Sequence, residues 1–292
     1  MRILVFGGNG MLGHKLVQVL QESFDVWATI RGTINDVENF GIFKKNRIIE
    51  GIEVQEQTTV RRAIKISQPD FIINAVGIIK QLPTSNDVIK TLTLNSIFPH
   101  QLAELTDEFG FRLISISTDC VFDGKKGNYI EEDAPNAPDL YGMSKHLGEV
   151  LTDNCLTLRT SIIGRELGTA HSLVEWFLSN EGKKVDGFFN AIYSGFPTIV
   201  LADIIKDLIV KHPKLNGLYH VSSEPISKYG LLGLLKTHYK LNIEIERFED
   251  FRIDRSLNST KFRTATGFSP TDWDDMIGKM AADPTPYGKW KA

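Results

Sequence analysis

The sequence predicts an α/β protein built on a doubly wound parallel (Rossmann) sheet, with a smaller α/β substrate-binding region after it. The chain opens with a continuous apolar run, Ile3 to Phe6, which is the pattern of a parallel strand buried on both faces. A turn containing Gly7, Gly10 and Gly13 follows, and apolar residues then recur at the spacing of one helix face. Short apolar runs and helical patterns alternate as far as a run at Leu156 to Ile163, after which the alternation weakens.

The opening turn is a candidate dinucleotide site. In a strand–turn–helix unit, N–H groups at the helix start bind a pyrophosphate, and glycines let the phosphates approach the backbone. The spacing G-x-x-G-x-x-G, rather than G-x-G-x-x-G, favours a short-chain dehydrogenase/reductase. Arg31 follows the second predicted strand, Val26 to Ile30, where a Rossmann fold meets the adenosine ribose. An arginine there pairs with the 2′-phosphate of NADP, so the sequence favours NADPH, with NADH as the open alternative. A simple loop arginine is the other interpretation.

Two hydroxyl residues and a tyrosine–lysine pair form the candidate catalytic group. Ser117 and Thr118 lie at the end of the fifth predicted strand, where doubly wound sheets bind ligands. Tyr141 and Lys145 are four residues apart on the following predicted helix, so both side chains project from one face. An ammonium at that spacing is expected to lower the pKa of the phenol from about 10 toward neutrality. Asn95, in an earlier predicted helix, is a candidate for binding backbone or water near this group.

Composition argues against several classes of function. The chain has 292 residues and a formal charge of −3, which argues against charge-driven binding to nucleic acid or an anionic membrane. Cys120 and Cys155 are too few for a disulfide framework and indicate no metal site, so both are interpreted as buried thiols. No run of about 18 apolar residues exists to span a bilayer, and the apolar start already serves as a strand rather than a signal peptide. A cytoplasmic protein is expected.

The pattern predicts two regions. Residues 1–162 form an NADP-binding Rossmann domain, to which residues 198–222 return. Residues 163–197 and 223–292 form the substrate-binding region, because a cofactor at the carboxyl edge of the sheet leaves the substrate to be covered by later segments.

Three further expectations concern individual segments. Residues 187–197 are aromatic and contain glycine, so they are expected to form a shaped loop. The helix that begins at Tyr141 is expected to continue through Val150 and Leu151. The tail from Asp283 contains two prolines and is expected to be disordered or to pack on a neighbouring molecule.

Eight segments distributed over nearly the whole chain match one family pattern. They are Gly7 to Gly13, Asn74-Ala75, Ser117 to Gly124, Tyr141 to Lys145 with Gly148-Glu149, Arg159 to Ser161, Pro197-Thr198, Gly217 to His220, and Ser256 to Lys261. Together they resemble the extended short-chain dehydrogenases/reductases and, within them, the dTDP-4-dehydrorhamnose reductase group. Related 4,6-dehydratases have an acidic pair where this chain has Asp119-Cys120, so the missing second acid speaks against dehydration.

The resemblance implies an NADPH-dependent reductase of a nucleotide-activated 4-keto-6-deoxyhexose, in deoxysugar and surface polysaccharide biosynthesis. Tyr141 is the implied proton donor, Thr118 (or Ser117) donates a hydrogen bond to the same oxygen, and Lys145 holds both Tyr141 and the nicotinamide ribose. Thr118 and Asp119 are implied to contact the sugar. The implied cofactor-binding residues are Gly7, Gly10, Met11, Leu12, Arg31, Glu53, Val54, Ala75, Val76, Gly77 and Lys145.

Three cations are further candidates for binding the nucleotide sugar. Arg165 and Arg255 lie in the region expected to cover the substrate, and guanidinium groups pair bidentately with diphosphate oxygens. Lys80, just beyond the fourth predicted strand, is placed to reach the sugar from the cofactor side. Each is equally interpretable as a surface ion-pair residue.

Three positions depart from the family pattern. Ile162, assigned to the substrate site, stands where many members have a tryptophan against the deoxysugar. Lys15 stands where some members have a glutamate in a magnesium-linked dimer contact, and Ile78-Ile79-Lys80-Gln81 replaces the usual His-Thr-Ala-Val. The hexose is therefore open to differ from dehydrorhamnose, and a homodimer, which is kept as an expectation, need not use that metal.

Two other classes of function use the same residues. A nucleotide-sugar epimerase uses the same tyrosine–lysine pair with tightly held NAD. A non-catalytic, NADP-binding regulatory subunit, such as the β subunit of methionine adenosyltransferase, resembles these reductases along its length. The fold by itself does not distinguish them.

Overall fold

Seven parallel strands form the central sheet of the computed structural model, which describes residues 1–80 and 86–290. The strands are β1 (Arg2–Phe6), β2 (Asp25–Thr29), β3 (Ile48–Ile49), β4 (Phe71–Asn74), β5 (Arg112–Thr118), β6 (Cys155–Thr160) and β11 (Gly217–His220). Their order across the sheet is β3-β2-β1-β4-β5-β6-β11. The strand order reverses between β1 and β4, and ligands of doubly wound folds bind at such a point. The predicted fold class is confirmed.

The first strand lies at the centre of the sheet because both of its faces are apolar. Ile3 and Val5 pack into the core on one side of the sheet, and Leu4 and Phe6 pack into the core on the other. All four side chains are fully buried. A short strand with polar residues on one face would instead favour an edge position.

Helices cover both faces of the sheet. They are α1 (Gly13–Leu20), α2 (Gln57–Ser67), α3 (Val88–Leu92), α4 (Phe98–Phe109), α5 (Leu140–Leu147), α6 (Leu173–Leu178), α7 (Thr198–Lys211), α8 (Lys228–Tyr239), α9 (Thr260–Thr266) and α10 (Trp273–Ala281). Helices α1 and α7 bury Leu16 and Ile205 on one face, while α2 and α4 bury Ile64 and Leu102 on the other. Within residues 1–80 and 86–290, no helix is long and apolar enough to cross a membrane.

The expected loop at residues 187–197 is wrong, because most of this segment is strand. The remaining strands are β7 (Ile162–Ile163), β8 (Lys184–Phe188), β9 (Ala191–Tyr193), β10 (Phe196–Pro197), β12 (Ile226–Ser227), β13 (Glu244–Phe248) and β14 (Ile253–Asp254). Strand β8 pairs with β13, β9 pairs with β12 and β14, and β10 pairs with β7. Most of these partners come much later in the chain, so the local sequence pattern could not reveal the pairing.

Helix α5 ends four residues earlier than expected. A Cβ atom on Gly148, the residue after the helix, would lie 2.9 Å from the carbonyl carbon of Asn95, so the chain leaves α5 directly against the turn at Thr93–Ile97. Val150 is buried beyond the helix end, and Leu151 is largely exposed. Gln81, the last residue of the segment that departs from the family pattern, lies outside the described residues.

The C-terminal tail packs on its own chain, against the expectation of disorder or an intermolecular contact. Asp283 forms an ion pair with Lys15 of α1, and the Tyr287 hydroxyl is 2.8 Å from Nε2 of His14. Lys15 and Tyr287 are both buried in this contact. The tail therefore covers Lys15, the position at which some family members have the glutamate of a metal-linked dimer contact.

Candidate active site

The glycine turn has the geometry of a pyrophosphate cradle. Gly7 has a φ of 78°, and the N–H of Gly8 donates to the Thr29 carbonyl at 3.0 Å, which ties the turn to the end of β2. The N–H of Gly10 donates to the Gly7 carbonyl at 3.0 Å. A Cβ atom on Gly13 would clash with the Gly7 carbonyl oxygen and lie 2.9 Å from its carbon. The helix N-terminus thus begins directly against the turn, an arrangement that accommodates a dinucleotide. Met11 is partly exposed beside it.

The segment after β4 forms the neighbouring wall. A Cβ atom on Gly7 would lie 3.2 Å from the carbonyl oxygen of Ala75 and 3.2 Å from the side chain of Val76. A Cβ atom on Gly77 would lie 4.0 Å from Nζ of Lys145. The structure therefore brings the glycine turn, the segment Ala75 to Gly77 and Lys145 together at the carboxyl edge of the sheet.

The candidate adenosine residues lie at the same edge. Residues 51–52 are joined to residues 30–32 by two backbone hydrogen bonds of 3.1 and 3.0 Å. This pairing places Glu53 and Val54 next to Arg31 at the end of β2. Arg31 and Glu53 are exposed, whereas the Val54 side chain is buried in the core, so only its backbone is available to a ligand.

The structure distinguishes the two hydroxyl residues at the end of β5. Ser117 Oγ donates to Oε1 of Glu149 at 2.7 Å, away from the candidate catalytic group. Thr118 Oγ1 accepts a hydrogen bond from the Cys120 N–H at 3.2 Å and is 3.1 Å from Oδ1 of Asp119. A hydrogen bond from the Thr118 side chain also lowers the pKa of Tyr141, opposing the larger effect of burial. Thr118 rather than Ser117 therefore faces the phenol.

Tyr141 and Lys145 lie on the same face of α5, but their charges do not interact as the spacing suggested. Burial raises the pKa of the Tyr141 phenol, so this group keeps its proton at neutral pH. Lys145 Nζ donates to the Ile116 carbonyl at 2.6 Å. Burial lowers the pKa of Lys145 to about 8, and the Glu149 charge partly opposes this effect. The expected lowering of the phenol pKa is therefore not found in this structure.

Asn95 connects the segment after β4 to helix α5, and the expectation that it binds backbone is confirmed. It lies in a π-helical turn, Thr93–Ile97, a distortion that is frequent at functional sites. Its Oδ1 accepts from the Ile78 N–H at 2.9 Å. Its Nδ2 is 3.1 Å from the Ile78 carbonyl and 3.1 Å from Ser144 Oγ on α5.

Charged side chains lie around Asp119, the residue that follows Thr118. Asp119 is buried, and burial raises its pKa, while the charges of Arg255 and Lys228 lower it. Arg255 Nε donates to the Phe122 carbonyl at 2.8 Å. Lys228 is the residue that sequence reasoning missed, because it lies at the start of α8, far along the chain from Asp119. No local motif predicts a role for Lys228. The one signal in the sequence is that this cation follows Ser227, the residue that caps α8.

Lys80 lies beside Tyr141. Its Nζ is 2.6 Å from Oδ2 of Asp139, the residue that caps α5, and 5.8 Å from the centroid of the Tyr141 ring. The structure thus brings together Lys80, Thr118, Asp119, Tyr141 and Arg255.

Arg165 is not part of this group. Its Nε donates to Oε1 of the buried Glu175 at 2.7 Å, and its guanidinium lies 4.7 Å from the centroid of the Tyr287 ring. Arg165 therefore belongs with the packed C-terminal tail, and the neighbouring Ile162 is partly exposed on the short strand β7. The sequence alone could not show that Arg255 lies at the site and Arg165 does not, because both arginines lie in irregular segments.

A parallel sheet with a glycine turn at its switch point, beside a Tyr-x-x-x-Lys helix and a threonine at a strand end, defines a protein of the short-chain dehydrogenase/reductase class. The chain belongs to the family described as the RmlD substrate binding domain, whose model matches residues 1–285.

Similar proteins include two dTDP-4-dehydrorhamnose reductases and a methionine adenosyltransferase subunit. The dTDP-4-dehydrorhamnose reductase of Aggregatibacter actinomycetemcomitans is 26% identical over 307 residues, covering 96% of this chain and 98% of that protein. Methionine adenosyltransferase 2 subunit beta of Bos taurus is 27% identical over 244 residues, covering 78% and 69%. The crystal structure of dTDP-4-dehydrorhamnose reductase from Bacillus anthracis in complex with NADP has a TM-score of 0.79 and 21% identity, covering 96% and 98%. This last likeness shows a shared fold.

Proposed function

We propose that this protein is an NADPH-dependent oxidoreductase that reduces a nucleotide-activated 4-keto-6-deoxyhexose, in deoxysugar and surface polysaccharide biosynthesis. One observation carries the proposal. Thr118, Tyr141 and Lys145 lie close together at the carboxyl edge of the sheet, and Lys145 faces Gly77 in the segment after β4. The similarity to a dTDP-4-dehydrorhamnose reductase along nearly the whole chain supports the same reaction class.

We assign a separate role in the reduction to each part of the site. When bound, NADPH supplies the hydride that reduces the keto carbon. The N–H groups of the glycine turn bind the pyrophosphate, and Ala75 to Gly77 leave room for the cofactor against the backbone. Tyr141 gives its proton to the developing alkoxide, and Thr118 donates a hydrogen bond to the same oxygen. Lys145, which faces Gly77 in the segment after β4, binds the nicotinamide ribose, and solvent returns the proton to Tyr141.

The preference for NADPH over NADH is the first prediction. Arg31 is exposed at the end of β2, so its guanidinium is free to approach a 2′-phosphate from solvent. A charge-assisted hydrogen bond contributes roughly 1.5–3 kcal/mol, or about tenfold to a hundredfold in affinity. Calorimetry on the wild type should give the tighter dissociation constant for NADPH, and Arg31→Ala should remove the difference. Lys44→Ala, at an exposed lysine on the segment after β2, is the control. Equal constants for the two nucleotides in the wild type contradict the assignment.

The placement of the substrate diphosphate is the second prediction. We propose that Arg255 binds the diphosphate and that Lys80 contacts the sugar from the opposite side. Arg165 instead packs against the C-terminal tail at Tyr287. Arg255→Ala should raise the KM for the nucleotide sugar about tenfold or more, since one charge-assisted contact is lost. Arg252→Ala, an exposed arginine three positions earlier, is the matched control. An unchanged KM for Arg255→Ala means that the diphosphate binds elsewhere.

The substrate itself is identified by a screen. NADPH oxidation is measured against dTDP-, UDP-, GDP- and CDP-linked 4-keto sugars. The hexose is not assumed to be dehydrorhamnose, because Ile162 provides no aromatic surface. Turnover of one of these sugars supports the proposal, and failure of all of them, with NADPH still bound, favours the regulatory alternative.

A regulatory role is the second candidate, supported by the similarity to the bovine methionine adenosyltransferase subunit. Stable co-purification with an unrelated synthetase would favour it. Permanently bound NAD in the purified protein would instead favour an epimerase, and exchangeable NADPH would favour the reductase.

We propose a homodimer through the face formed by α3, α5 and the turn between α3 and α4. Ile89, Ile97 and Leu147 are exposed there, at 80%, 48% and 58%, and Leu151, four residues beyond α5, is exposed at 63%. Adjacent apolar side chains exposed to this degree mark an interaction surface. Sedimentation equilibrium should give a dimer for the wild type and a monomer for the double variant Ile97→Asp, Leu147→Asp. A monomeric wild type contradicts this proposal.

We also propose that residues 1–162 and 198–222 form the NADP-binding domain, that residues 163–197 and 223–292 form the substrate-binding region, and that the protein works in the cytoplasm. The pairing of β11 with β6 supports the return of residues 198–222 to the first domain.

A further inference from the structure

One buried imidazole connects the C-terminal tail to the glycine turn. His14, in the first turn of α1, is fully buried, and its Nδ1 is 2.8 Å from the Gly10 carbonyl oxygen. Its Nε2 is 2.8 Å from the Tyr287 hydroxyl, and the two rings meet edge to face with their centroids 5.7 Å apart. The imidazole therefore lies between the tail and the turn that is proposed to bind the pyrophosphate.

The directions of both hydrogen bonds to this imidazole follow from its partners. A carbonyl oxygen only accepts, so Nδ1 of His14 donates to Gly10. Burial lowers the pKa of His14 to about 4, so the neutral ring carries a single proton. Nε2 must then accept, and the Tyr287 hydroxyl donates to it. Because the partner of one ring nitrogen decides which nitrogen is protonated, Tyr287 selects the tautomer that binds the turn.

The tail is fixed next to His14 by polar and charged contacts. Asp283 forms an ion pair with Lys15, whose side chain is 4% exposed. Thr285 Oγ1 accepts from Nζ of the same lysine at 3.1 Å. On its other side, the Tyr287 ring lies 4.7 Å from the guanidinium of Arg165. The Tyr287 hydroxyl is therefore held in position at the imidazole.

The tail also contacts the segment between β2 and β3. The Trp290 ring packs edge to face against Phe40, with the centroids 4.9 Å apart, and against Tyr287 at 6.0 Å. Phe40 lies in the same segment as Arg31, the candidate residue for the 2′-phosphate. A short stretch of the tail thus contacts both parts of the chain that are proposed to bind the phosphates of NADPH.

We propose that Tyr287 and Trp290 are positioning residues for the dinucleotide, through which the tail holds the glycine turn and the segment after β2 in the form that binds NADPH. Tyr287 acts through His14 on the Gly10 carbonyl, and Trp290 acts through Phe40. This inference rests on the proposed binding of NADPH at the glycine turn. Because the two tail residues act through other side chains, they change the affinity for the cofactor and not the transfer of hydride.

The first test is the affinity of Tyr287→Phe for NADPH, measured by calorimetry. Phenylalanine keeps the ring and removes only the hydroxyl, so Nε2 of His14 loses its donor and the other tautomer becomes accessible. The dissociation constant should rise about threefold to tenfold, the range set by one net hydrogen bond. The KM for NADPH should rise with it, while kcat and the KM for the nucleotide sugar stay at their wild-type values.

Trp290→Ala tests the second contact and leaves the Tyr287 hydroxyl in place. It should also raise the dissociation constant of NADPH, because the segment after β2 loses its ring contact with the tail. Two controls should bind NADPH as the wild type does. Lys289→Ala changes an exposed side chain next to Trp290, and Tyr219→Phe removes a hydroxyl on β11.

Hydrogen exchange tests the same coupling from the side of the tail and needs no sugar substrate. Coupling between two sites is reciprocal, so bound NADPH must stabilise the packed tail by the free energy that the tail contributes to NADPH binding. The amides of residues 283–290 should therefore exchange more slowly in the NADPH complex than in the free protein. The amides of α9, in the substrate-binding region, are the reference.

Two results would overturn the inference. One is wild-type affinity for NADPH in both Tyr287→Phe and Trp290→Ala, even with a lowered melting temperature, which is the behaviour of purely structural residues. The other is exchange in the tail that NADPH leaves unchanged. A wild type that binds no NADPH refutes the proposed cofactor site together with this inference, so calorimetry on the unaltered protein distinguishes the two failures.

Discussion

Replacing Tyr141 with phenylalanine should lower turnover about 10²–10⁴-fold, the usual contribution of a positioned proton donor. The phenol is buried beside Thr118 and keeps its proton at neutral pH, so removing its hydroxyl leaves the developing alkoxide without a donor. NADPH binding should be unchanged, because the cofactor contacts proposed here lie on the glycine turn, at Ala75 to Gly77 and on Lys145. Steady-state kinetics and calorimetry measure the two effects separately.

Tyr219→Phe is the control for this substitution. Tyr219 lies on the edge strand β11, where its ring packs against Phe262, and it should tolerate the loss of its hydroxyl. Unchanged turnover in Tyr141→Phe would contradict the catalytic assignment. A parallel loss of NADPH binding would instead indicate that the variant has disturbed α5.

Gly13→Ala should remove measurable NADPH binding and destabilise the fold. A Cβ atom at this position would clash with the Gly7 carbonyl oxygen and lie 3.0 Å from Gly8 Cα, so the backbone of the turn must move. Forced overpacking typically costs about 1–3 kcal/mol of folding free energy. Here the displaced atoms belong to the pyrophosphate cradle itself. Calorimetry with NADPH and thermal denaturation followed by circular dichroism measure the two losses.

Gly233→Ala is the matched control for this glycine. Gly233 lies inside α8, and a methyl group there would have no atom of the described residues within 4 Å beyond its own stretch of helix. Alanine should therefore stabilise the helix by about 0.5–1 kcal/mol. If Gly13→Ala binds NADPH as tightly as the wild type, the prediction is wrong, and the turn can rearrange to accommodate the added methyl group without losing the cofactor.

Much of the candidate site consists of residues that lie close together in the sequence. A strand, a glycine turn and a helix are consecutive in the chain, so their joint geometry follows from local rules, and the turn at Gly7 to Gly13 has the predicted form. Tyr141 and Lys145 share a helix face because they are four residues apart. The parallel sheet follows from the alternation of apolar runs with helices, which permits few other connections.

Charge and burial could not be derived in the same way. The pKa of the Tyr141 phenol depends on how deeply α5 packs against β5 and on where the Lys145 ammonium points, and both are tertiary quantities. The sequence placed an ammonium near the phenol, but the Ile116 carbonyl holds that ammonium. Helix α5 likewise ends where Gly148 packs against the turn around Asn95, which comes much earlier in the chain.

The sequence by itself determined the dinucleotide turn, the sheet class and the tyrosine–lysine pair, because each depends on residues within a few positions of one another. Only the tertiary structure decided that Thr118 rather than Ser117 faces the phenol, and that Lys228 joins Arg255 around Asp119. It also decided that Arg165 packs with the tail at Tyr287. These choices depend on which distant segments meet in space, and the free energy that brings them together comes from burying the core as a whole.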